Sequence, residues 1–212
     1  MNKAKELLCE IGKRIWQQGL SPGTGGNISI RVEKNKILIS PTLTSMGFMQ
    51  PEDLCLLDLD GNVLDSKSRP SSEFKLHLHV YKKRPEITAV IHAHPPFASS
   101  FAVIGEKLNT FIQPETVVFL GEVPVVKYGT PSTDEFSENL NEYLDGNLNT
   151  FLLQNHGVLC IGYELIRAYY NLETLENLAK ITVISRLLGG EKQISNDNLK
   201  KLFKLFNVNL EI

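Results

Sequence analysis

Cysteine is scarce in this chain of 212 residues, which has three: Cys9, Cys55 and Cys160. They are odd in number, far apart and form no CxxC pair, so no disulfide framework is expected. A reducing cytoplasm is the expected setting. Long hydrophobic runs are also missing, and no stretch reaches the roughly 18 consecutive apolar residues of a bilayer-spanning helix. The N-terminal stretch does not read as a signal peptide, because Lys3, Glu6, Glu10, Lys13 and Arg14 interrupt its apolar residues. Charge of one sign does not accumulate either: 22 Lys and Arg against 24 Asp and Glu give a formal net charge of -2. Without a basic stripe or a polybasic cluster, neither nucleic acid nor a membrane surface is an expected partner. No internal repeat, low-complexity tract or linker interrupts the chain.

What is present is the balance of a globular domain, 42% hydrophobic and 22% charged. A single domain over residues 1–212 is expected, large enough to bury a core without covalent staples. Leu7, Leu8, Ile11, Ile15 and Trp16 recur at helical spacing, which predicts a helix from about Lys3 to Gln18. A small-residue loop, Ser21 to Asn27, leads into Ile28, Ile30 and Val32, which alternate with polar residues as a half-buried strand does. Lys36 to Ser40 is its hairpin partner, and Asp60-Gly61 turns a second hairpin between Leu54–Leu57 and Val63–Leu64. Arg69 to Ser72 opens a helix that Pro85 stops, and Ile87 to His92 is a strand. A short helix over Phe97 to Val103 and strands at Val117–Leu120 and Val123–Val126 are expected next. Ser132 with Glu135 reads as a capping box that starts a helix running to about Leu144. Thr150–Leu153 and Val158–Ile161 read as strands, Leu165–Leu188 as a long helix and Asn198–Phe206 as the last one. Helices and hairpin-linked strands interleave, so the fold class is α/β with much of the sheet antiparallel.

Five histidines are available, His77, His79, His92, His94 and His156. His92 and His94 stand two apart at a strand end, so both imidazoles point to one face and can converge on an ion. An H-x-H pair alone is a weak signal. His156 follows another apolar strand, and three histidines with an open position are the donor set of a catalytic zinc site. Glu73, in the first turn of a helix after Ser71-Ser72, is the candidate acid. On its own it reads as a glutamate favouring the helix dipole, worth about 0.3–1 kcal/mol. Beside a metal, the same carboxylate can move a proton to or from carbon. Gly23-Thr24-Gly25-Gly26-Asn27 offers backbone N–H groups, and Ser71-Ser72 adds hydroxyls at a helix N-terminus, together a candidate phosphate cradle. His77 shares a helix face with Phe74 and Tyr81 and reads as a core residue or a support to the site. His79 lies off that face and reads as solvated.

The Gly23-to-Asn27 loop, Ser71-Ser72-Glu73, His92-x-His94 and Asn155-His156-Gly157 together resemble the class II aldolase/adducin-head family, in motif terms most of all its L-fuculose-phosphate aldolases. The resemblance covers nearly the whole chain, with the motifs in the family's order. It implies a single α/β domain whose central, largely antiparallel sheet lies between helical layers. It implies Zn2+ on His92, His94 and His156, Glu73 as acid/base, and a homotetramer with active sites at subunit interfaces. By the same match Asn27, Thr42, Ser71 and Ser72 would hold the phosphate of a small-molecule sugar phosphate, with Thr24 and Gly26 lining that site. The implied activity is reversible cleavage of a ketose 1-phosphate to dihydroxyacetone phosphate and an aldehyde.

Two departures separate the chain from the fuculose pattern. A family tyrosine associated with handling the aldehyde is replaced in the stretch Ile112-Gln113-Pro114-Glu115, and no tyrosine follows Tyr170. Leu43 stands where the phosphate site has glycine. Related pentulose-phosphate 4-epimerases carry Asp after the paired serines, so Glu73 favours aldolase over epimerase. Methylthioribulose-1-phosphate dehydratases keep both the histidines and the glutamate and rank second. A non-catalytic adducin-head-like scaffold would be expected to lose the metal ligands, and this chain has all three.

Overall fold

The computed structural model describes residues 1–208. Its helices and strands follow the order α1 (Asn2–Gln17), β1 (Asn27–Glu33), β2 (Lys36–Ile39), β3 (Cys55–Asp58), β4 (Val63–Asp65), α2 (Phe74–Lys83), β5 (Ala89–Ala93) and α3 (Pro96–Ile104). The second half continues with α4 (Pro114–Phe119), β6 (Val125–Val126), α5 (Asp134–Glu138), α6 (Asn141–Leu144), β7 (Thr150–Leu153), β8 (Gly157–Gly162), α7 (Leu165–Leu187) and α8 (Asn196–Phe206). The strands form one eight-stranded sheet in the order β4-β3-β2-β1-β5-β8-β7-β6. Its pairings are antiparallel, except that β6 runs parallel to β7.

Alternation along the strands sends side chains into two cores, one on each side of the sheet. Ile28, Leu38, Ile91, Ala93, Val158 and Cys160 pack with Leu8, Ile11 and Ile15 of α1 and with the buried face of α7. Ile37, Ile39, Val90, Phe151, Leu159 and Ile161 pack on the other side with Leu76, Val80 and Tyr81 of α2 and Phe136 of α5. The sheet therefore lies between helical layers, as the resemblance implied. Each fully buried aliphatic side chain contributes roughly 1.5–3 kcal/mol, and Leu8, Ile11 and Ile15 fix α1 by repeating at helical spacing. No described helix is long and apolar enough to cross a membrane, and all three cysteines are free thiols.

Four expectations are corrected. Val117–Leu120 is not a strand: Pro114 at the first helical position and Glu115 beside it start α4, and the β-branched run is helical. Of Val123–Val126, only Val125 and Val126 pair as a strand. The cap of α5 is Thr133, whose side chain accepts from Phe136 N, whereas Ser132 sits at φ 68° outside the helix. The stretch running to Leu144 is two short helices, broken at Asn139–Leu140.

Candidate metal centre

β5 is paired on both edges, with β1 and with β8, and ends at the site. Because Ile91 and Ala93 belong to the α1/α7 core, His92 and His94 point to the opposite, α2-facing side. The third histidine reaches them from the β7–β8 turn. Asn155 takes φ 56° there, and its backbone N–H donates to Ala102 O at 3.1 Å, tying the turn to the end of α3. The ring centroids of His92, His94 and His156 stand 4.6–5.1 Å apart, and one ligand atom from each lies within 4.8 Å of the others. The ring of Phe136 covers His156 at 5.2 Å.

Glycines make this convergence possible. A Cβ on Gly157 would lie 2.5 Å from His94 Cδ2, and one on Gly25 would lie 2.9 Å from His94 Nδ1. His94 is thus held between two positions that tolerate no side chain. Gly26, at φ 71°, backs onto the carbonyl of His92 in the same way.

Glu73 enters from the α2 side. It is the residue before α2 rather than part of its first turn, and its N–H donates to Ser71 Oγ at 3.3 Å. Its Oε2 lies 3.4 Å from His92 Nε2 and its Oε1 lies 3.4 Å from His156 Nε2. Asn27 Nδ2 donates to Oε2 at 2.7 Å. Asn27 and His92 are direct partners across β1 and β5, so the amide and the imidazole share one face of the sheet.

The three imidazoles suit a metal ion by their protonation. Burial, and then the neighbouring His94 and His156, hold His92 well below the usual histidine range. Burial lowers His94 and His156 as well, while Glu73 pulls both upward. Neutral imidazoles are the form that binds metal. His92 Nδ1 lies 2.9 Å from the carbonyl of Val158. It must therefore carry the proton, which leaves the lone pair on Nε2. That Nε2 stands 2.9 Å from His94 Nε2, a spacing that calls for a proton or a cation between the two nitrogens. His156 Nδ1 is buried without a hydrogen-bond partner, while its Nε2 faces Glu73. Three neutral nitrogens beside one carboxylate are a donor set that fits zinc.

The residues assigned to a phosphate have different environments. Ser71 is buried and Ser72 exposed at the start of α2; Thr24 is exposed, and Gly26 and Thr42 are half-buried. Asn27 is buried and has its amide committed to Glu73 and to His77, a role the sequence did not reveal. His77, Ser29 and Tyr81 form a buried polar chain behind it. The signal was present: Asn27 and Ser29 are two apart on β1, and His77 and Tyr81 are one turn apart on α2. Glu176 has a role that the sequence likewise does not reveal. Its buried carboxylate accepts from Phe97 N at 3.3 Å and Ala98 N at 2.9 Å, anchoring the helix that follows His94.

Residues 6–183 match the family model described as Class II Aldolase and Adducin N-terminal domain. An L-fuculose phosphate aldolase of Methanocaldococcus jannaschii is 34% identical over 184 residues, covering 87% of this chain and 98% of that protein. A 3-oxo-tetronate 4-phosphate decarboxylase of Haemophilus influenzae is 36% identical over 182 residues, 84% of this chain and 85% of that one. Among solved structures, an L-fuculose 1-phosphate aldolase superposes with a TM-score of 0.88 at 30% identity, over 98% of this chain and 97% of that chain.

Proposed function

Because the chain belongs to the class II aldolase and adducin N-terminal domain family, we propose that it is a zinc-dependent aldolase acting on a ketose 1-phosphate. The products are dihydroxyacetone phosphate and an aldehyde, and the reaction is reversible. The observation that carries this reading is the position of Glu73, whose two oxygens each stand 3.4 Å from a ring nitrogen of His92 or His156. His92, His94 and His156 would hold the ion. When bound, zinc supplies Lewis-acid stabilisation of negative charge on oxygens beside the breaking bond.

The chain's own residues account for the rest. In cleavage the C4 hydroxyl gives its proton to solvent and becomes the aldehyde carbonyl as the C3–C4 bond breaks, and that bond's electron pair stays on the three-carbon fragment. Glu73 delivers a proton to that carbon in cleavage and removes it in condensation. Asn27 Nδ2, on Oε2, orients the carboxylate. Thr24, Gly26, Thr42, Ser71 and Ser72 would receive the phosphate through hydroxyls and backbone N–H groups, and Asn27 through the Nδ2 hydrogen that Glu73 does not hold. Exposed Thr24, Leu43 and Ser72 stand on open surface, which suits a homotetramer completing its sites at subunit interfaces. Free cysteines suit a cytoplasmic enzyme.

A decarboxylase is the second reading, favoured by the 36% identity to the Haemophilus influenzae protein. Loss of carbon dioxide leaves the same kind of electron pair next to a carbonyl carbon and needs no aldehyde partner. That fits a chain in which the aldehyde-handling tyrosines are absent.

The test combines metal analysis with product release. Zinc-dependent release of dihydroxyacetone phosphate from one member of a ketose 1-phosphate panel, abolished in Glu73→Gln, supports the aldolase. Release of carbon dioxide from a 3-oxo acid phosphate instead supports the decarboxylase. A protein that binds no metal and turns over neither class would overturn both. Light scattering of the purified protein tests the tetramer.

A further inference from the structure

We infer that His77 is a positioning residue for Glu73, acting through Asn27 and held in one tautomer by Ser29 and Tyr81. The inference rests on the reading of Glu73 as the proton-transferring group. His77 itself lies one hydrogen bond short of the carboxylate, fully buried in α2.

The polarity of the chain follows from its end. A carboxylate only accepts, so Asn27 presents Nδ2 to Glu73 Oε2 at 2.7 Å and must turn Oδ1 the other way. Oδ1 meets His77 Nε2 at 2.5 Å. That nitrogen therefore carries the proton, and His77 Nδ1 is left as an acceptor. Ser29 Oγ lies 2.6 Å from Nδ1 and donates to it. The Ser29 oxygen, 2.8 Å from Tyr81 OH, in turn accepts from the phenol. Each donor in the series Tyr81, Ser29, His77, Asn27, Glu73 finds an acceptor, and a reversal at any link would set two acceptors or two donors face to face.

The arrangement has a consequence for Glu73. An asparagine amide can rotate by half a turn and exchange its oxygen and nitrogen at little intrinsic cost. In this pocket, that rotation would put Oδ1 against a carboxylate and leave His77 Nε2–H without an acceptor, both costly when buried. The imidazole thus selects the one amide orientation that supports the carboxylate. Burial keeps His77 neutral, pushing it down to about 3, so it does not compete for the proton that Glu73 handles.

A half-reaction that needs no aldehyde partner tests this: exchange of a carbon-bound hydrogen of dihydroxyacetone phosphate with D2O, followed by NMR on the zinc-loaded protein. His77→Phe keeps the ring's bulk but donates nothing, and it is expected to slow exchange ~10- to 100-fold with bound metal unchanged. His77→Gln, which can offer an amide N–H near the Nε2 position, is expected to recover most of that loss. Independently, 15N shifts of the wild-type protein are expected to show His77 protonated on Nε2, with the signal assigned by its loss in His77→Gln. An Nδ1-protonated ring, a Phe variant as fast as wild type, or a Gln variant as slow as Phe would each overturn the inference. If the Phe variant fails to fold, the tautomer and the Gln variant still decide. No exchange by the wild type would instead remove the role given to Glu73, and the tautomer measurement would separate that failure from an error in the hydrogen-bond chain.

Discussion

Asn27 and His92 face each other across β1 and β5 as direct antiparallel partners. One strand pairing therefore sets the amide that holds Glu73 beside the imidazole that would hold the metal. The amide that holds the acid and the metal ligand are registered by backbone hydrogen bonds rather than by a flexible loop, which argues for a site held rigid before substrate arrives.

The clamp on His94 is open to a one-carbon test. Gly157→Ala would bring a Cβ to 2.5 Å from His94 Cδ2 and 2.5 Å from the Ala93 carbonyl. The backbone cannot yield easily, so His94 must move. Zinc affinity is expected to fall ~10- to 100-fold, with a stability loss of about 1–3 kcal/mol. Titration of apo protein with zinc measures the first and chemical denaturation the second. Gly146→Ala, where an added Cβ meets nothing within 4 Å, is expected to change neither.

Removing the metal should cost both activity and stability. Dialysis against a chelator is expected to abolish turnover, and added zinc to restore it. Zinc at about 100 times its dissociation constant is expected to stabilise the fold by roughly 2.7 kcal/mol. A melting temperature that ignores zinc would contradict a site on His92, His94 and His156.

The metal-free protein should lose stability on mild acidification. His77, His92, His94 and His156 are all lowered in the folded state, chiefly by burial. In the unfolded chain they take up protons near pH 6.5. Between each lowered value and that point the unfolded chain binds more protons than the folded one, so stability rises with pH. Thermal melts of apo protein are expected to fall steadily from pH 7 toward pH 4 and to level off above pH 7. A flat profile over that window would show that these rings are not buried as described.

Glu176 offers a test away from the ligands. Its carboxylate accepts from Phe97 N and Ala98 N at the start of α3, with Lys180 Nζ 3.7 Å away. Glu176→Ala leaves the Ala98 N–H buried and unpaired and the half-buried Phe97 N–H without its partner, and a loss of about 1–3 kcal/mol is expected by denaturant unfolding. Because α3 begins two residues after His94, weaker zinc binding should accompany it.

Much of the site was legible because its spacing is local. His92 and His94 two apart on a strand must share a face, and an apolar strand running into Asn155-His156-Gly157 must turn. Ser71, Ser72 and Glu73 stand beside one another before a helix that its periodicity announces. Errors fell where two local signals competed. Val117 and Val118 read as strand although Pro114 and Glu115 open a helix, and Ser132 read as the cap although Thr133 holds that place.

The sequence by itself determined which chemistry the chain carries: three imidazoles, one carboxylate, and a set of small and hydroxylated residues around them. Tertiary structure alone decided how they meet. Strand register brings Asn27 opposite His92, the packing of α2 on the sheet brings His77 behind Asn27, and Gly25 and Gly157 close on His94 from separate segments. Hydrogen bonds between residues about fifty positions apart leave no periodic trace along the chain. They exist only once burial has removed the water that would otherwise satisfy each group.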